Sequence, residues 1–141
     1  MYNAAIAEAM VTTGGPEGSG GLPGYLGMKF TAVEPGTLTC ELPVTDELLN
    51  PFGAAHGGVV SALVDHVLGA VCLPVVPAGS WPATSEFKLN FLAPSRTGTM
   101  VARSTIVSMS KRTAIVRVDV TNGGRLVCAA QGTVAIMAPK S

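Results

Sequence analysis

The sequence predicts an α+β domain in which one long apolar helix lies against a curved antiparallel sheet. Three observations carry that expectation. The run from Gly57 to Val76 is the only segment that reads as a long helix, and it is apolar on almost every side. Residues 83–93, ATSEFKLNFLA, alternate in polarity with the period of a half-buried strand. The strand-like segments after them are joined by short polar turns, a connection open only to antiparallel neighbours.

Taken in order, residues 1–11 read as a short helix, and TTGGPEGSGGLPG (12–24) as a Gly-rich connector that cannot hold regular structure for long. The domain proper is expected over 25–141, with 1–24 as an N-terminal appendage. GMKFTAV and TLTCELPV flank Glu34-Pro35-Gly36 and predict a hairpin. The helix from Gly57 opens on Gly-Gly and is bounded by Pro74 and Pro77. In the strand that follows, Thr84, Glu86, Lys88 and Asn90 are expected on one face and Phe87, Leu89 and Phe91 on the other. MVARSTIVSM (100–109), TAIVRVDVT (113–121) and RLVCAAQGTVAIM (125–137) complete a meander through turns at 110–112 and 122–124.

Composition bounds the rest. A chain of 141 residues builds one domain with a core of its own. Hydrophobic residues make up 48% and charged residues 13%, more apolar surface than a small monomer needs to bury, so self-association is expected. Asp65 and His66 interrupt the only stretch that could span a bilayer, and the N-terminus carries no secretory pattern, so a cytoplasmic protein without membrane contact is expected. Cys40, Cys72 and Cys128 are odd in number and far apart, which argues against a disulfide framework and reads as three small buried hydrophobes. Net charge is zero, yet residues 1–87 hold one Lys and eight acids while 88–141 hold eight Lys or Arg and one Asp. That split fits a basic surface for an anionic ligand or, equally, solvated strand faces.

No GxSxG elbow or phosphate-binding loop is present, two His without paired Cys do not make a metal site, and 5% aromatics at zero net charge give nucleic-acid binding no support. The chemistry left is between Asn50 and Asp65. Gly57 and Gly58 put unshielded N–H groups at a helix start, where the macrodipole favours developing negative charge; simple helix punctuation is the other reading. Asp65 follows Gly57 by eight residues, ~12 Å along a helix axis, so the two can meet on one carbonyl only if Asp65 comes from a second chain. Gly58, Ser61, Ala62, Asp65 and Gly69 form a small-residue stripe open to close approach. A carboxylate bonded to Ser61 or to backbone is the structural alternative for Asp65. His66 faces elsewhere and reads as structural.

NPFGAAHGGVVSALVDHVLGA (50–70), with Asp65 nine residues after the His of HGG, resembles the signature of the hotdog-fold acyl-CoA thioesterases. The nearest type is that of phenylacetic acid degradation, within the wider 4-hydroxybenzoyl-CoA thioesterase superfamily. The likeness extends to YLGMKF, PGTLTCELPV, SEFKLNFLAPSRTG and NGGRLVCAAQGT. It implies a hotdog fold, two protomers joining their sheets, and a further pairing of dimers into a homotetramer. By resemblance, the Gly57 N–H polarises the thioester carbonyl, Asn50, His56 and Gly58 line that end, and Asp65 of the partner subunit acts as general base or nucleophile. Thr84, or Ser85 beside it, matches a hydroxyl that positions water. Lys111 and Arg112, then Arg96, are the candidates for the phosphates of coenzyme A, which is part of the substrate, so no separate cofactor is implied. Ser110-Lys111-Arg112 departs from the Gly that many relatives carry. Aromatic acyl groups such as phenylacetyl or hydroxybenzoyl and medium or long aliphatic chains are both open. A non-catalytic acyl-CoA sensor or carrier is the alternative function; a hydratase on the same fold is disfavoured by the HGG-to-Asp65 spacing.

Overall fold

The computed structural model describes residues 1–14 and 20–140. The expected connector thus lies partly outside the described residues, and its described ends are more regular than expected. Helix α1 (Ala4–Thr13) runs into one end and α2 (Gly21–Leu26) occupies the other. Asn3 explains the first: its Oδ1 accepts from the Ala5 and Ile6 N–H groups, and Gly14 closes the helix at φ +85°. In α2, Pro23 sits in the first turn, where its missing N–H leaves no helical bond unmade, and Gly27 closes at φ +88°. The boundary expected near residue 25 therefore falls inside α2. Met10 is fully buried in the common core, so α1 packs with the domain, against its first strand.

Strands β1 (Lys29–Glu34) and β2 (Thr37–Pro43) form the expected hairpin. After α3 (Gly57–Ala70) come β3 (Trp81–Phe91), β4 (Thr99–Met109), β5 (Thr113–Asn122) and β6 (Arg125–Met137). They make one six-stranded antiparallel sheet in the order β1-β2-β4-β5-β6-β3. Its two edges differ: α1 packs on β1, whereas the eleven residues of β3 pair on one side only.

Helix α3 is shorter than its sequence predicts, ending at Ala70 instead of Val76. Beyond it the Cys72 and Leu73 N–H groups reach back three residues, to Gly69 and Ala70 carbonyls. Pro74 is the cause, because it has no N–H and disfavours helical geometry at the residue before it. Val60, Leu63, Val64, Val67 and Leu68 are buried against the sheet, each side chain worth about 1.5–3 kcal/mol. Enclosure stops there. Gly58 and Asp65 are exposed and Ser61, Ala62 and Gly69 half-buried, so the small-residue stripe is an open face and Asp65 is not buried within one chain.

The expected alternation of β3 is corrected by a bulge. Thr84 pairs with Val134 but Glu86 with Thr133, leaving Ser85 as the extra residue. Opposed residues share a face, and Val134 is fully buried, so Thr84 joins Phe87 and Leu89 on the helix side and not Glu86 on the outer side. Two pairs further on, Gly132 lies opposite Phe87.

The three cysteines are free and buried, as the sequence suggests; burial pushes the Cys40 thiol up to about 12 and the Cys72 thiol up to about 11. His66 stacks on Phe30 with ring centroids 4.9 Å apart. Burial lowers its pKa below the ordinary histidine value, against the opposing pull of the neighbouring Asp65.

A Cβ on Gly132 would lie 2.5 Å from the Glu86 carbonyl oxygen and 2.6 Å from Phe87 Cβ. The first of these is backbone and cannot swing aside, so Gly132→Ala should cost at least about 3 kcal/mol, seen as a lower urea midpoint or as failure to fold. His66 gives a pH dependence. Below pH ~6.5 the unfolded chain binds a proton that the folded chain resists, so this contribution to stability is present above that pH and is lost as pH falls. Urea titrations between pH 7.5 and 5.5 should show a slope that His66→Phe, which keeps the stack, reduces.

Candidate active site

Helix α3 starts on an unusual cap. His56 Nδ1 accepts the Gly58 N–H at 2.8 Å, and the Val59 and Val60 N–H groups turn back to the His56 carbonyl. Three of the first four donors are thereby satisfied. The fourth, Gly57 N–H, makes no hydrogen bond among the described residues. An imidazole that accepts at Nδ1 carries its proton on Nε2, which fixes the tautomer. Both glycines are under steric constraint. A Cβ on Gly58 would stand 3.0 Å from His56 Nδ1, and one on Gly57 would stand 3.2 Å from Phe91 Cζ.

The loop before the helix is folded around Asn50. Its Oδ1 accepts the Phe52 and Ala54 N–H groups at 2.9 and 3.2 Å, and its backbone N–H donates to the Ala54 carbonyl at 2.7 Å. This leaves Nδ2 as a donor with no partner among the described residues. From outside, the loop is held by Arg96, whose Nη1 donates to the Phe52 carbonyl at 3.0 Å, and by the Ala55 N–H donating to the Ser95 carbonyl. Asn50, Ala55, Gly57, Phe91, Ser95 and Val127 line a cleft of about 440 Å³ at this end of the helix. A free N–H at a helix N-terminus on the wall of an apolar-and-amide cleft can stabilise negative charge on a bound oxygen.

Asp65 is elsewhere. Its carboxylate makes no hydrogen bond or ion pair among the described residues, and the structural alternative involving Ser61 is not what forms: Ser61 Oγ donates to the Gly57 carbonyl at 2.7 Å. The far half of α3 lies over the start of β3, where a Cβ on Gly69 would meet Pro82. Thr84 and Ser85 are in that part of the strand, with Ser85 as its unpaired bulge residue. Arg112 is close by in the fold, since its carbonyl accepts the N–H of Ile136, the residue opposite Pro82.

The expected site residues thus fall into two groups. Asn50, His56, Gly57, Gly58 and Arg96 are at one end, and Asp65, Thr84, Ser85, Lys111 and Arg112 at the other. Along β3 the seven steps from Thr84 to Phe91 span ~23 Å. The eleven residues of β4 put the Lys111–Arg112 turn ~35 Å from the cleft end of the sheet within one chain. Sequence reasoning did not single out Phe91, Ser95 or Arg125 for this region. Phe91 was legible only as a strand residue, and Arg125 only as the flank of a hairpin turn. No group of His, Cys, Asp or Glu among the described residues is arranged to hold a metal ion, and no helix among them is long and apolar enough to cross a membrane.

Comparison with known proteins agrees on one family. Residues 52–129 match the model of the thioesterase superfamily. The chain is 26% identical over 117 residues to the 1,4-dihydroxy-2-naphthoyl-CoA hydrolase of Listeria monocytogenes, a match covering 82% of this chain and 95% of that one. It is 29% identical over 107 residues to acyl-coenzyme A thioesterase 13 of Homo sapiens, covering 74% and 76%. A variant of a thioesterase from Staphylococcus aureus, known as a crystal structure, is similar at 26% identity with a TM-score of 0.80, covering 83% of this chain and 98% of that one. On a family match spanning more than half of its length, and a six-stranded sheet with its helix in the same arrangement, this chain belongs to the thioesterase superfamily and is a hotdog-fold thioester hydrolase.

Proposed function

We propose that the protein hydrolyses acyl-CoA thioesters, aromatic or medium to long aliphatic in the acyl part, to the free acid and coenzyme A, in sites shared by two copies of the chain. One observation carries the reading: helix α3 holds a donor, Gly57 N–H, and a carboxylate, Asp65, neither with a partner among the described residues, too far apart to act together. The open edge of β3 and the open small-residue face of α3 are where a second copy fits. A two-fold pairing along an antiparallel edge sets the Phe91 end of one strand against the Thr84 end of the other, which unites the two groups of residues.

In that site the Gly57 N–H holds the carbonyl oxygen as it gains negative charge, supported by the helix dipole and by Asn50 Nδ2. His56 keeps the helix start in shape by occupying the Gly58 donor. Asp65 of the partner subunit takes a proton from a water whose oxygen attacks the carbonyl carbon; alternatively its own oxygen attacks first and water then opens the resulting anhydride. Either way the C–S bond breaks and the sulfur leaves with the electron pair, to be protonated as the free thiol. Thr84, on the helix side of the bulge, is the hydroxyl suited to hold that water, in preference to Ser85. Names of relatives that end in CoA hydrolase and acyl-coenzyme A thioesterase support the substrate class.

Thiol release from a panel of acyl-CoAs is the direct test. Asp65→Asn should lower kcat by at least ~100-fold, the scale of a lost general base, with the sedimentation coefficient unchanged; equal rates in both proteins would refute the assignment. Gly57→Pro removes one N–H at a helix position that tolerates proline, whereas Gly57→Ala keeps the N–H and adds the same Cβ beside Phe91. The proline variant should lose ~10²–10³-fold more kcat than the alanine variant.

A further inference from the structure

Helix α3 carries two titratable side chains, Asp65 and His66, and they are neighbours. One helical step turns the second about 100° from the first, so Asp65 stands on the open face while the His66 ring lies half-buried on its flank. The ring is held flat, stacked on Phe30 with centroids 4.9 Å apart and planes 21° from parallel. Phe30 is a fixed platform, buried in the same core as Met10 of α1. No charge but that of Asp65 flanks the ring. Cys40, opposite Phe30 on β2, carries a thiol pushed up to about 12 and is neutral. Lys29 and Glu41, the next pair along, lie on the other face of the hairpin. Glu8, the one charge of α1, is exposed, and α2, which packs on α3, has only the exposed Tyr25 phenol to titrate. Glu86, Lys88, Arg103, Arg117 and Asp119 are on the outer face of the sheet, and Arg125 is at a strand end. The imidazole makes no hydrogen bond or ion pair among the described residues. A neutral imidazole still has one N–H and one lone pair to satisfy, whereas a phenyl ring would fill the place with neither. What the histidine adds over packing is a proton site one residue from Asp65.

We propose that His66 is a positioning residue for Asp65: stacked on Phe30, it sets a neutral ring on the flank of the carboxylate, and its charge state decides how strongly that carboxylate draws a proton from water. This deepens the reading above and rests on it. With His66 neutral, Asp65 has no cation beside it in its own chain and enters the shared site as an unpaired base. A proton on His66 puts a cation there, which favours the carboxylate over the carboxylic acid and weakens it as an acceptor. Burial keeps the ring neutral near pH 7, since it lowers the His66 pKa below the ordinary histidine value against the pull of Asp65. As pH falls below ~6.5 the ring gains its proton, and activity falls more steeply than titration of the carboxylate alone would make it. The coupling is reciprocal, so removing the Asp65 charge makes His66 harder to protonate.

Two measurements test this, one of them independent of turnover. The chain has two histidines, so His66 is identified in an NMR pH titration as the imidazole signal missing from His66→Phe, a variant that keeps an aromatic ring against Phe30. Its midpoint is expected below ~6.5 in the wild type. In Asp65→Asn it should be lower again by about 0.5, the size of an interaction between charges ~6 Å apart in a water-like medium. The second measurement is the ratio of kcat/KM at pH 8 to that at pH 5.5, followed by thiol release from one acyl-CoA. This ratio should be about threefold smaller in His66→Phe than in the wild type, the same interaction read as a rate. A ring that merely fills space would leave the ratio where it is. A His66 midpoint that does not move in Asp65→Asn, or a pH ratio equal in His66→Phe and wild type, overturns the positioning role and leaves the hydrolase reading intact. A wild type that hydrolyses no thioester refutes the function proposed above, and the NMR titration then decides by itself whether the two side chains are coupled.

Discussion

An α-helix is a rigid ruler, and the 1.5 Å rise per residue holds Gly57 and Asp65 about 12 Å apart along the axis of α3. No side-chain rotamer closes that gap onto a single carbonyl group. The consequence reaches through the whole molecule. The sheet wraps one face of the helix and leaves the face that carries Asp65 uncovered, and the strand nearest that face, β3, is an edge with one free side. Edges of eleven residues are hazards in monomeric proteins unless something covers them. Here the uncovered edge and uncovered helix face adjoin each other, and each is what the other needs if a second copy is to bind. The separation of the two chemical groups and the incompleteness of the fold are one feature seen twice.

The start of the same helix shows how local structure prepares chemistry. A helix begins with donors that must be satisfied or left for a ligand. His56 takes one with its ring and two with its carbonyl, which leaves a single N–H, that of Gly57, facing the question of a partner. Two glycines are required for two distinct reasons. The imidazole lies where a Gly58 Cβ would crowd it, and the Phe91 ring lies against the place of a Gly57 Cβ. Asn50 plays the same part for the loop, spending its carbonyl oxygen internally so that its amide nitrogen remains.

Much of this was legible beforehand because it depends on short-range physics. Alternation finds β3, short polar turns find the β4–β5–β6 meander, and arithmetic on a helix separates Gly57 from Asp65. What escaped depends on how residues meet in space. The bulge at Ser85 leaves no trace in an alternating sequence, so Thr84 was set on the wrong face of β3. Pro74 was recognised as a stop, but its effect reaches back to Ala70, because a proline removes a hydrogen bond and constrains the residue before it. The exposure of Asp65 is not legible from its apolar neighbours in sequence, because burial is decided by the face of the helix.

A carboxylate in an apolar helix is tolerated here for a physical reason that differs from pairing. Within one chain Asp65 is in water and has lost little hydration, so folding does not bear the cost of a buried charge. The Gly57 N–H is likewise at a cleft wall and can be hydrated. In the proposed shared site, association brings these two groups to one place and withdraws both from solvent together. The desolvation then falls on assembly and substrate binding, where the exposed aromatic ends of β3, Trp81 and Phe91, supply opposing free energy. It is also the point at which desolvation is useful, since an electrostatic donor gains strength where water is excluded. The charge distribution follows the same logic. The acids are concentrated before residue 88 and the bases after it, so the walls of the cleft end, built in part from the β3–β4 loop and the β5–β6 hairpin, carry no carboxylate.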